Sequence, residues 1–193
     1  MSGASYAVGS ARSNGWWGMV VFVLGETTLF LMLFATYFYL RLQSHHWPPP
    51  GIDKPPVLTP VLLTAALAST SIPMQAAWTR TRHGNRVAAW WLLAAAAIVQ
   101  VGYLIWQVHD FVLDVHREPP SHSAYASIRS TTLAIDHAHV LLGVLLTAWM
   151  VVRLATRLTP YRLRGLQATT FYWHAVNAIT IAVLFVVDLS PHL

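Results

Sequence analysis

Long apolar stretches separated by short polar segments dominate the pattern of the chain. Five of them contain at least 20 residues each and at most one Asp, Glu, Lys or Arg: 16–40, 57–78, 87–109, 130–152 and 168–187. About 20 apolar residues in a helix cross the ~30 Å hydrocarbon core of a bilayer, and a helix satisfies its own backbone hydrogen bonds there. We therefore predict an all-α integral membrane bundle of five transmembrane helices that forms a single membrane domain over residues 1–193.

The basic residues of the polar segments are distributed unequally between the two sides of this bundle. Four of them, Arg41, Lys54, Arg117 and Arg129, fall on one side. Eight fall on the side of the amino terminus: Arg12, Arg80, Arg82, Arg86, Arg153, Arg157, Arg162 and Arg164. Because Lys and Arg stay preferentially in the cytoplasm, we predict a cytoplasmic amino terminus and a periplasmic carboxyl terminus. The start of the chain lacks the apolar region of a secretory signal, so we expect the first span to remain as an anchor.

Some of these arginines have a second possible role. Five are candidates for contact with anionic lipid headgroups: Arg80, Arg82, Arg86, Arg153 and Arg157. Each such contact contributes ~1 kcal/mol near an anionic membrane surface. The same distribution also follows from the insertion rule alone, and the two interpretations are compatible.

Composition excludes several classes of function. Hydrophobic residues make up 55% of the chain and charged residues 10%, against about 25% charged in soluble domains. The formal net charge of +5 comes from the ends of the apolar stretches and forms no basic stripe, so no nucleic acid is expected as a partner. There is no cysteine, which excludes disulfides, thiolate metal sites and cysteine nucleophiles. Because no catalytic motif is found either, we expect no catalytic residue and no metal or cofactor in this chain.

Few polar side chains interrupt the apolar stretches. The candidates for a site are Glu26, Gln100, Asp136, His139, His174 and Asn177, with Tyr103, Gln107 and His137 beside them. An ionisable group at the centre of a bilayer costs roughly 2.5–3.5 kcal/mol, so it needs a partner or an interior position. Spacings of three residues place Asp136 with His139, and His174 with Asn177, on one helical face. We predict that these faces meet inside the bundle and hydrogen-bond from span to span.

Two of these groups leave alternatives open. His139 and His174 are compatible with an axial haem pair, which would make the protein an independent membrane haem-binding cytochrome. Glu26 is compatible with a protonated carboxyl that bonds to a neighbouring helix or with one station of a proton path. A proton path needs a chain of polar groups that can pass a proton, and only Thr27 and Thr28 lie beside Glu26. We therefore favour a structural or regulatory role for Glu26.

Several motifs in the same order resemble subunit III of the haem-copper oxidases, the family of cytochrome c oxidase subunit 3 and its quinol-oxidase counterpart. Residues 17–38 are similar to the family's first shared helix, including Glu26. The segment WPPPGI at 47–52 is similar to its Trp-Pro-Pro loop, and Gln100 fits the glutamine of its third helix. SAYAS at 123–127, His139-Val140 and YWHAVN at 172–177 match the segments of its last two helices.

Four positions differ from the family pattern. Asp136 replaces the first histidine of the His-Gly-x-His-Val motif, and His137 replaces its glycine. Asn177 replaces the aspartate after Trp-His, and Tyr103 stands where a glutamate is expected. A form with five spans is known in the bacterial branch, so the resemblance implies a bacterial inner (plasma) membrane.

The resemblance implies a non-redox subunit of a proton-pumping haem-copper terminal oxidase, which serves aerobic respiration and the electron transport chain. Its partner would be the catalytic subunit I, which carries the haem and copper, together with other oxidase subunits and bound phospholipid. Glu26 would stabilise or sense the interface with subunit I, and His139 and His174 would join interhelical or lipid contacts. An accessory subunit of a nitric oxide reductase is the alternative within related complexes.

Overall fold

The computed structural model describes residues 14–156 and 159–193. The α-helices are α1 Asn14–Gln43, α2 Leu58–Ser69, α3 Ser71–Arg82, α4 Arg86–Arg117, α5 Ala124–Thr156 and α6 Pro160–Val183. A π-helical segment, Leu184–Leu189, and a 3-10 turn, Ser190–His192, follow α6 directly. Arg12 and Arg157 lie outside the described residues.

Five helical units are long and apolar enough to cross a membrane, which confirms the predicted all-α architecture. The second unit, Leu58–Arg82, consists of α2 and α3, which are interrupted at Thr70. Pro73 accounts for the interruption, because it lacks a backbone N–H and its ring crowds the carbonyl four residues earlier. The chain continues in the same direction, so α2 and α3 act as one span.

Polar side chains mark the beginnings of three helices. Asn85 accepts a hydrogen bond from the Ala88 N–H at the start of α4, and Thr159 accepts one from Arg162 at the start of α6. Ser123 does the same for Ala126 before α5. Each oxygen satisfies an N–H that has no partner within its own helix.

The centre of the bundle is α5, which contacts α1, α4 and α6. Its packing surface includes Val140, Gly143 and Val144, and it meets Trp173 of α6 in the main core cluster. By contrast, α1 buries only Phe30 and Tyr37 among its described residues. It therefore lies at the edge of the bundle, with most of its apolar surface facing outward.

Residues 44–57 connect α1 to α2, and we call them the strap. Trp47 of the strap donates its indole N–H to the Tyr37 hydroxyl at 2.9 Å. Its ring packs edge-on against Tyr37 and Tyr125, with centroids 5.3 and 4.9 Å away. A tryptophan at this point of the sequence is typical of an anchor at the membrane interface, but the structure places it against protein.

The end of the bundle beside the strap, which we call the strap end, is also held by polar contacts. Arg41 donates to the Ser190 carbonyl at 2.9 Å. Arg129 lies 2.8 Å from Asp114 and 3.8 Å from Asp188. The contacts connect α1, α4, α5 and the carboxyl-terminal segment. The opposite end, which carries Arg80, Arg82 and Arg86, is called the arginine end below.

Candidate functional site

The candidate residues lie at contacts between spans, and the first contact joins α1 to α5. The Glu26 Oε2 and His139 Nε2 atoms are 2.8 Å apart. The other ring nitrogen of His139, Nδ1, lies 2.7 Å from the Ile135 carbonyl oxygen. A carbonyl oxygen only accepts, so Nδ1 carries a proton. The sequence did not indicate that Glu26 and His139 would meet, because they are 113 residues apart.

This geometry leaves two forms for the pair. In one, a carboxylic acid donates to a neutral imidazole; in the other, a protonated imidazole donates to a carboxylate. Both forms have zero net charge, which reduces the cost of placing ionisable groups in a bilayer. The Glu26 side chain is 24% exposed and that of His139 12%, so the pair lies at the edge of the bundle where another helix or a lipid reaches it.

Aromatic rings and one further hydrogen bond hold the histidine in place. Phe30 of α1 presents its ring edge-on to the His139 ring, with centroids 5.3 Å apart. Tyr172 of α6 donates its hydroxyl proton to the His139 carbonyl at 3.0 Å. The position of His139 therefore depends on α1, α5 and α6 together.

The second contact joins α5 to α6. The Thr180 hydroxyl donates to Asp136 Oδ1 at 2.9 Å, and Asp136 is only 2% exposed. His137, next to it, is also buried, and its ring packs edge-on against Phe111 of α4 with centroids 5.3 Å apart. Asp136 and His139 thus have separate partners on different helices, although their spacing predicted a shared face.

The third contact joins the second span, at Thr70 and the start of α3, to α6 through three side-chain pairs. Their partners are Trp173 with Thr70 at 2.8 Å, Asn177 with Ser71 at 2.7 Å, and His174 with Gln75 at 3.3 Å. The indole N–H and the Asn177 amide N–H are the donors. The sequence predicted sites at His174 and Asn177 but did not predict their partners. A signal for those partners was present, since Thr70, Ser71 and Gln75 are polar residues inside an apolar stretch.

The polar face of α4 is buried in the bundle. Gln100 is fully buried and Tyr103 nearly so. Tyr103 lies beside Gln107 of its own helix and Thr64 of α2, both within reach of its hydroxyl. Hydrogen bonding of Gln100 to a neighbouring span stays a prediction.

The arginine end combines exposed cations with helix capping. Arg82 lies over the Trp78 ring at 5.9 Å, and Arg153 lies over the Trp149 ring at 5.2 Å. Arg86 donates to the Ala155 and Thr156 carbonyls at the end of α5. Arg80 is in the last turn of α3. Of these four arginines, Arg86 has a structural role in closing α5 whether or not a lipid binds.

The axial pair of histidines is not assembled. Both ring nitrogens of His139 are already engaged by Glu26 and Ile135, and His174 bonds to Gln75. An iron would have to displace one of these contacts. Over the ranges that the structure describes, no group of three or more His, Cys, Asp or Glu side chains is arranged to hold a metal ion.

Known proteins match the chain along most of its length. The family described as "Cytochrome c oxidase subunit III" matches residues 8–189. Cytochrome c oxidase subunit 3 of Pisaster ochraceus is 29% identical over 178 residues, which are 86% of this chain and 66% of that protein. The Alkalihalophilus pseudofirmus protein of the same name is 27% identical over 188 residues, 91% of this chain and 86% of that protein.

A third relative, from Synechocystis, bears the same name and is 25% identical over 177 residues, 89% of this chain and 74% of that protein. The chain therefore covers most of these two bacterial relatives. It spans somewhat less than two thirds of the length of animal relatives, such as the 64% of the Gallus gallus protein.

Proposed function

The chain belongs to the cytochrome c oxidase subunit III family, and from that premise we propose that it is a subunit without redox centres in a haem-copper terminal oxidase. Its partners are then the catalytic subunit I, which carries the haem and copper, and the other subunits of the complex. The complex reduces dioxygen and pumps protons across a bacterial inner membrane. This subunit supports assembly, lipid binding and sustained turnover of the catalytic subunit.

One observation carries the proposal. The family match covers residues 8–189, and that range extends from before the first of the five spans into the last of them. A match of this extent involves the whole bundle and not one shared motif. The described contacts between the spans are side-chain hydrogen bonds and packed apolar and aromatic side chains, which hold helices together. They agree with a supporting role for the subunit.

Glu26 and His139 are the residues to which we assign the interface with subunit I. Their pair is neutral overall, is held by α1, α5 and α6, and is partly exposed at the edge of the bundle. Because α1 buries few of its residues, its position depends on a few polar contacts: the Glu26–His139 bond and, at the strap end, the bonds of Arg41 and Tyr37 to Ser190. Loss of the bond would alter the surface that α1 offers to another subunit.

Lipid contact is assigned to Arg80, Arg82 and Arg153 at the arginine end, with Arg86 shared between lipid and α5. These side chains lie on the side predicted to face the cytoplasm, where anionic headgroups attract cations. His174 and Gln75 lie at the α3–α6 surface and are the other candidates for contact with lipid or a neighbouring subunit.

The first experiment identifies the partner. The full chain is purified in mild detergent with the subunits that accompany it, and the mass and metals of the intact complex are measured. We expect a large subunit containing haem and copper that reduces dioxygen. A large subunit that reduces nitric oxide instead would support the alternative, and a haem retained by the isolated chain would contradict a subunit without redox centres.

The second experiment tests Glu26 in the same complex. We expect Glu26→Ala to shorten the turnover lifetime or weaken retention of the subunit, because α1 loses its polar contact with α5. Thr28→Val is a matched control, since the exposed Thr28 hydroxyl bonds only to the Leu24 carbonyl of its own helix. If assembly, turnover lifetime and proton stoichiometry all stay unchanged in Glu26→Ala, the assigned role is wrong.

A conservative variant separates the two forms of the pair. Glu26→Gln keeps an N–H that donates to His139 Nε2 but cannot carry a negative charge. Wild-type thermal stability in this variant would indicate the carboxylic acid form. A loss equal to that of Glu26→Ala would indicate the ion pair.

A further inference from the structure

A polar pair lies on the outer surface of the bundle where α3 meets α6. Gln75 of α3 is exposed and His174 of α6 is half-buried, and Gln75 Oε1 lies 3.3 Å from His174 Nε2. Lipid and a neighbouring subunit are the two candidates for contact with this pair. Its depth in the membrane and its hydrogen-bonding groups distinguish between them.

The pair lies deep in the hydrocarbon. The second span is Leu58–Arg82 and the last is Tyr161–His192, so Gln75 is close to the middle of one and His174 to the middle of the other. At ~1.5 Å per residue, Gln75 is about 8 Å and His174 about 4 Å from the middle of its span. The middle of the hydrocarbon core is ~15 Å from its edge. Lipid headgroups therefore do not reach the pair, whereas acyl chains and other helices do.

The pair does not use all of its hydrogen-bonding groups. The Gln75 carbonyl oxygen only accepts, so His174 Nε2 carries the proton and Nδ1 of the neutral ring is an acceptor. Neither this Nδ1 nor the two amide N–H groups of Gln75 bond to another residue in the ranges that the structure describes. One turn along α6, the buried Asn177 Oδ1 also lacks a partner there. In hydrocarbon such groups cost free energy, and an acyl chain offers them no hydrogen bond.

The surface around the pair permits close approach by another helix. Six residues at helical spacing reach the outside here, and we call them the α3–α6 face: Ile72, Gln75, Thr79, His174, Ala178 and Ile181. Ile72 is 74% exposed and Ile181 49%. Ala178 lies one turn from His174, and its small side chain lets a neighbouring backbone come near. Small residues and hydrogen bonds between helices are the features that bring transmembrane helices together.

We propose that the α3–α6 face receives one transmembrane helix of another subunit, which places a Ser, Thr, Asn or Gln side chain against Gln75 and His174. A hydroxyl or an amide both donates and accepts, so one such side chain can serve the Gln75 N–H and His174 Nδ1 together. A carboxylate or an ammonium would instead bring an unpaired charge into the hydrocarbon. The inference rests on the proposed function, because it requires a complex with further subunits.

Cross-linking identifies what covers this face. The chain contains no cysteine, so one introduced cysteine is a unique attachment point on it. The purified complex with Ala178→Cys is labelled with benzophenone maleimide and irradiated, and mass spectrometry identifies what is linked to position 178. We expect a transmembrane peptide of another subunit with a hydroxyl or amide side chain within one turn of the link. Ile105→Cys on α4, at a position 67% exposed, is the control and should give mainly lipid adducts.

A double variant tests the hydrogen bonds in the same complex. Gln75→Leu combined with His174→Leu should lower detergent-resistant retention of the linked subunit roughly tenfold, because two contacts between transmembrane helices are lost. Thr79→Val is the matched control on the same face. The Thr79 hydroxyl already bonds to the backbone carbonyl of Gln75 in its own helix, so retention should stay at the wild-type level.

A further variant separates loss of the partner from loss of the fold. The double variant also removes a bond between α3 and α6, so its melting temperature is measured. If it does not fold, Ala178→Leu takes its place with the same expected loss of retention. Ala178 is exposed, so a leucine there occupies the space of the partner helix and not the core of this chain.

Several results would contradict the inference. Lipid adducts alone from an intact complex would overturn it and leave the proposed function standing. A link to a second copy of this chain, or to a peptide without any hydroxyl or amide side chain, would exclude the partner described here. Equal protein yields from positions 178 and 105, or unchanged retention in both the double variant and Ala178→Leu, would exclude a specific contact. A chain that purifies without any other subunit would contradict both this inference and the proposed function.

Discussion

Gly143 shows how strongly one residue constrains the packing of α5 on α6. A Cβ atom placed at Gly143 would lie 2.5 Å from Cζ3 and 2.6 Å from Cε3 of Trp173. The Trp173 ring is fully buried and its N–H is bonded to the Thr70 hydroxyl, so the ring cannot move without breaking that bond. Only glycine allows α5, α6 and α3 to meet at this level.

We predict that Gly143→Ala lowers stability by about 1–3 kcal/mol, the usual cost of overpacking a core. The measurement is the melting temperature of the purified protein in detergent. Gly102→Ala is the control, because a Cβ atom there meets nothing within 4 Å and alanine is favoured over glycine in a helix. Equal melting temperatures for the two variants would mean that the Trp173 ring has room to move.

At the scale of the helices, α6 bonds to two neighbouring spans through side chains at successive turns. Trp173, His174 and Asn177 bond to Thr70, Gln75 and Ser71 of the second span. Thr180, one turn beyond Asn177, bonds to Asp136 of α5. Because apolar side chains gain little by leaving lipid for a helix contact, such hydrogen bonds and close packing decide which helices pair in a membrane.

The Asp136–Thr180 bond gives a test of this pairing. Thr180→Val keeps the side-chain shape but removes the donor, and we expect a loss of about 0.6–2 kcal/mol, the range for hydrogen bonds between transmembrane helices. Asp136→Asn retains an oxygen that accepts from Thr180, so it should be close to wild type. Denaturation in mixed micelles measures both variants. A larger loss for Asp136→Asn than for Thr180→Val would mean that the charge on Asp136 matters more than the hydrogen bond.

Across the whole molecule, the two ends of the bundle are held in different ways. At the strap end, Arg129 joins α4 and α5 to the carboxyl-terminal segment through Asp114 and Asp188. His192 reaches back to the Pro55 carbonyl of the strap at 3.0 Å. At the arginine end, Arg86 and Arg162 reach backbone carbonyls in the last turns of α5. At the strap end, Arg129 of α5 therefore connects to two further elements, α4 and the carboxyl-terminal segment, whereas Arg86 and Arg162 at the arginine end each reach α5.

We predict that Arg129→Gln destabilises the protein more than either Gly143→Ala or Thr180→Val does. It leaves two carboxylates close together, one of them only 8% exposed, and removing one partner of a buried ion pair costs about 3–5 kcal/mol. Arg164→Gln removes an exposed cation and should change stability by less than about 0.5 kcal/mol. Thermal denaturation of the Arg129→Gln and Arg164→Gln variants measures the difference in stability. Adding Asp114→Asn to Arg129→Gln should recover part of the loss; no recovery would mean that carboxylate repulsion is not the cause.

Much of the architecture follows from the sequence because the bilayer restricts the possible structures. The lengths of the apolar stretches predict five spans, since only a helix can satisfy its backbone in hydrocarbon. The rarity of polar residues in these stretches also makes Glu26, Asp136 and His139 recognisable as residues that need partners. The motifs at 17–38, 47–52 and 172–177 led to the correct family, which the match over residues 8–189 confirms.

The partners of those residues could not be derived in the same way. Helical spacing predicts which side chains share a face, but not which neighbouring helix that face meets or at what height. Asp136 and His139 are three residues apart, yet one bonds to Thr180 of α6 and the other to Glu26 of α1. Similarly, tryptophan is a residue type typical of membrane interfaces, but the strap folds back and packs Trp47 against Tyr37 and Tyr125.

The chain alone therefore determines the number, length and polar positions of the spans, because these depend on how each segment transfers from water to lipid. Which helices pack together depends on long-range fits such as Gly143 against Trp173. The Glu26–His139 pair forms only where that packing brings α1 to α5. Those fits combine residues from several helices at once, some of them more than 100 positions apart in the chain. They exist only in the assembled bundle, and the proposed contacts with subunit I and phospholipid are consequences of that assembly.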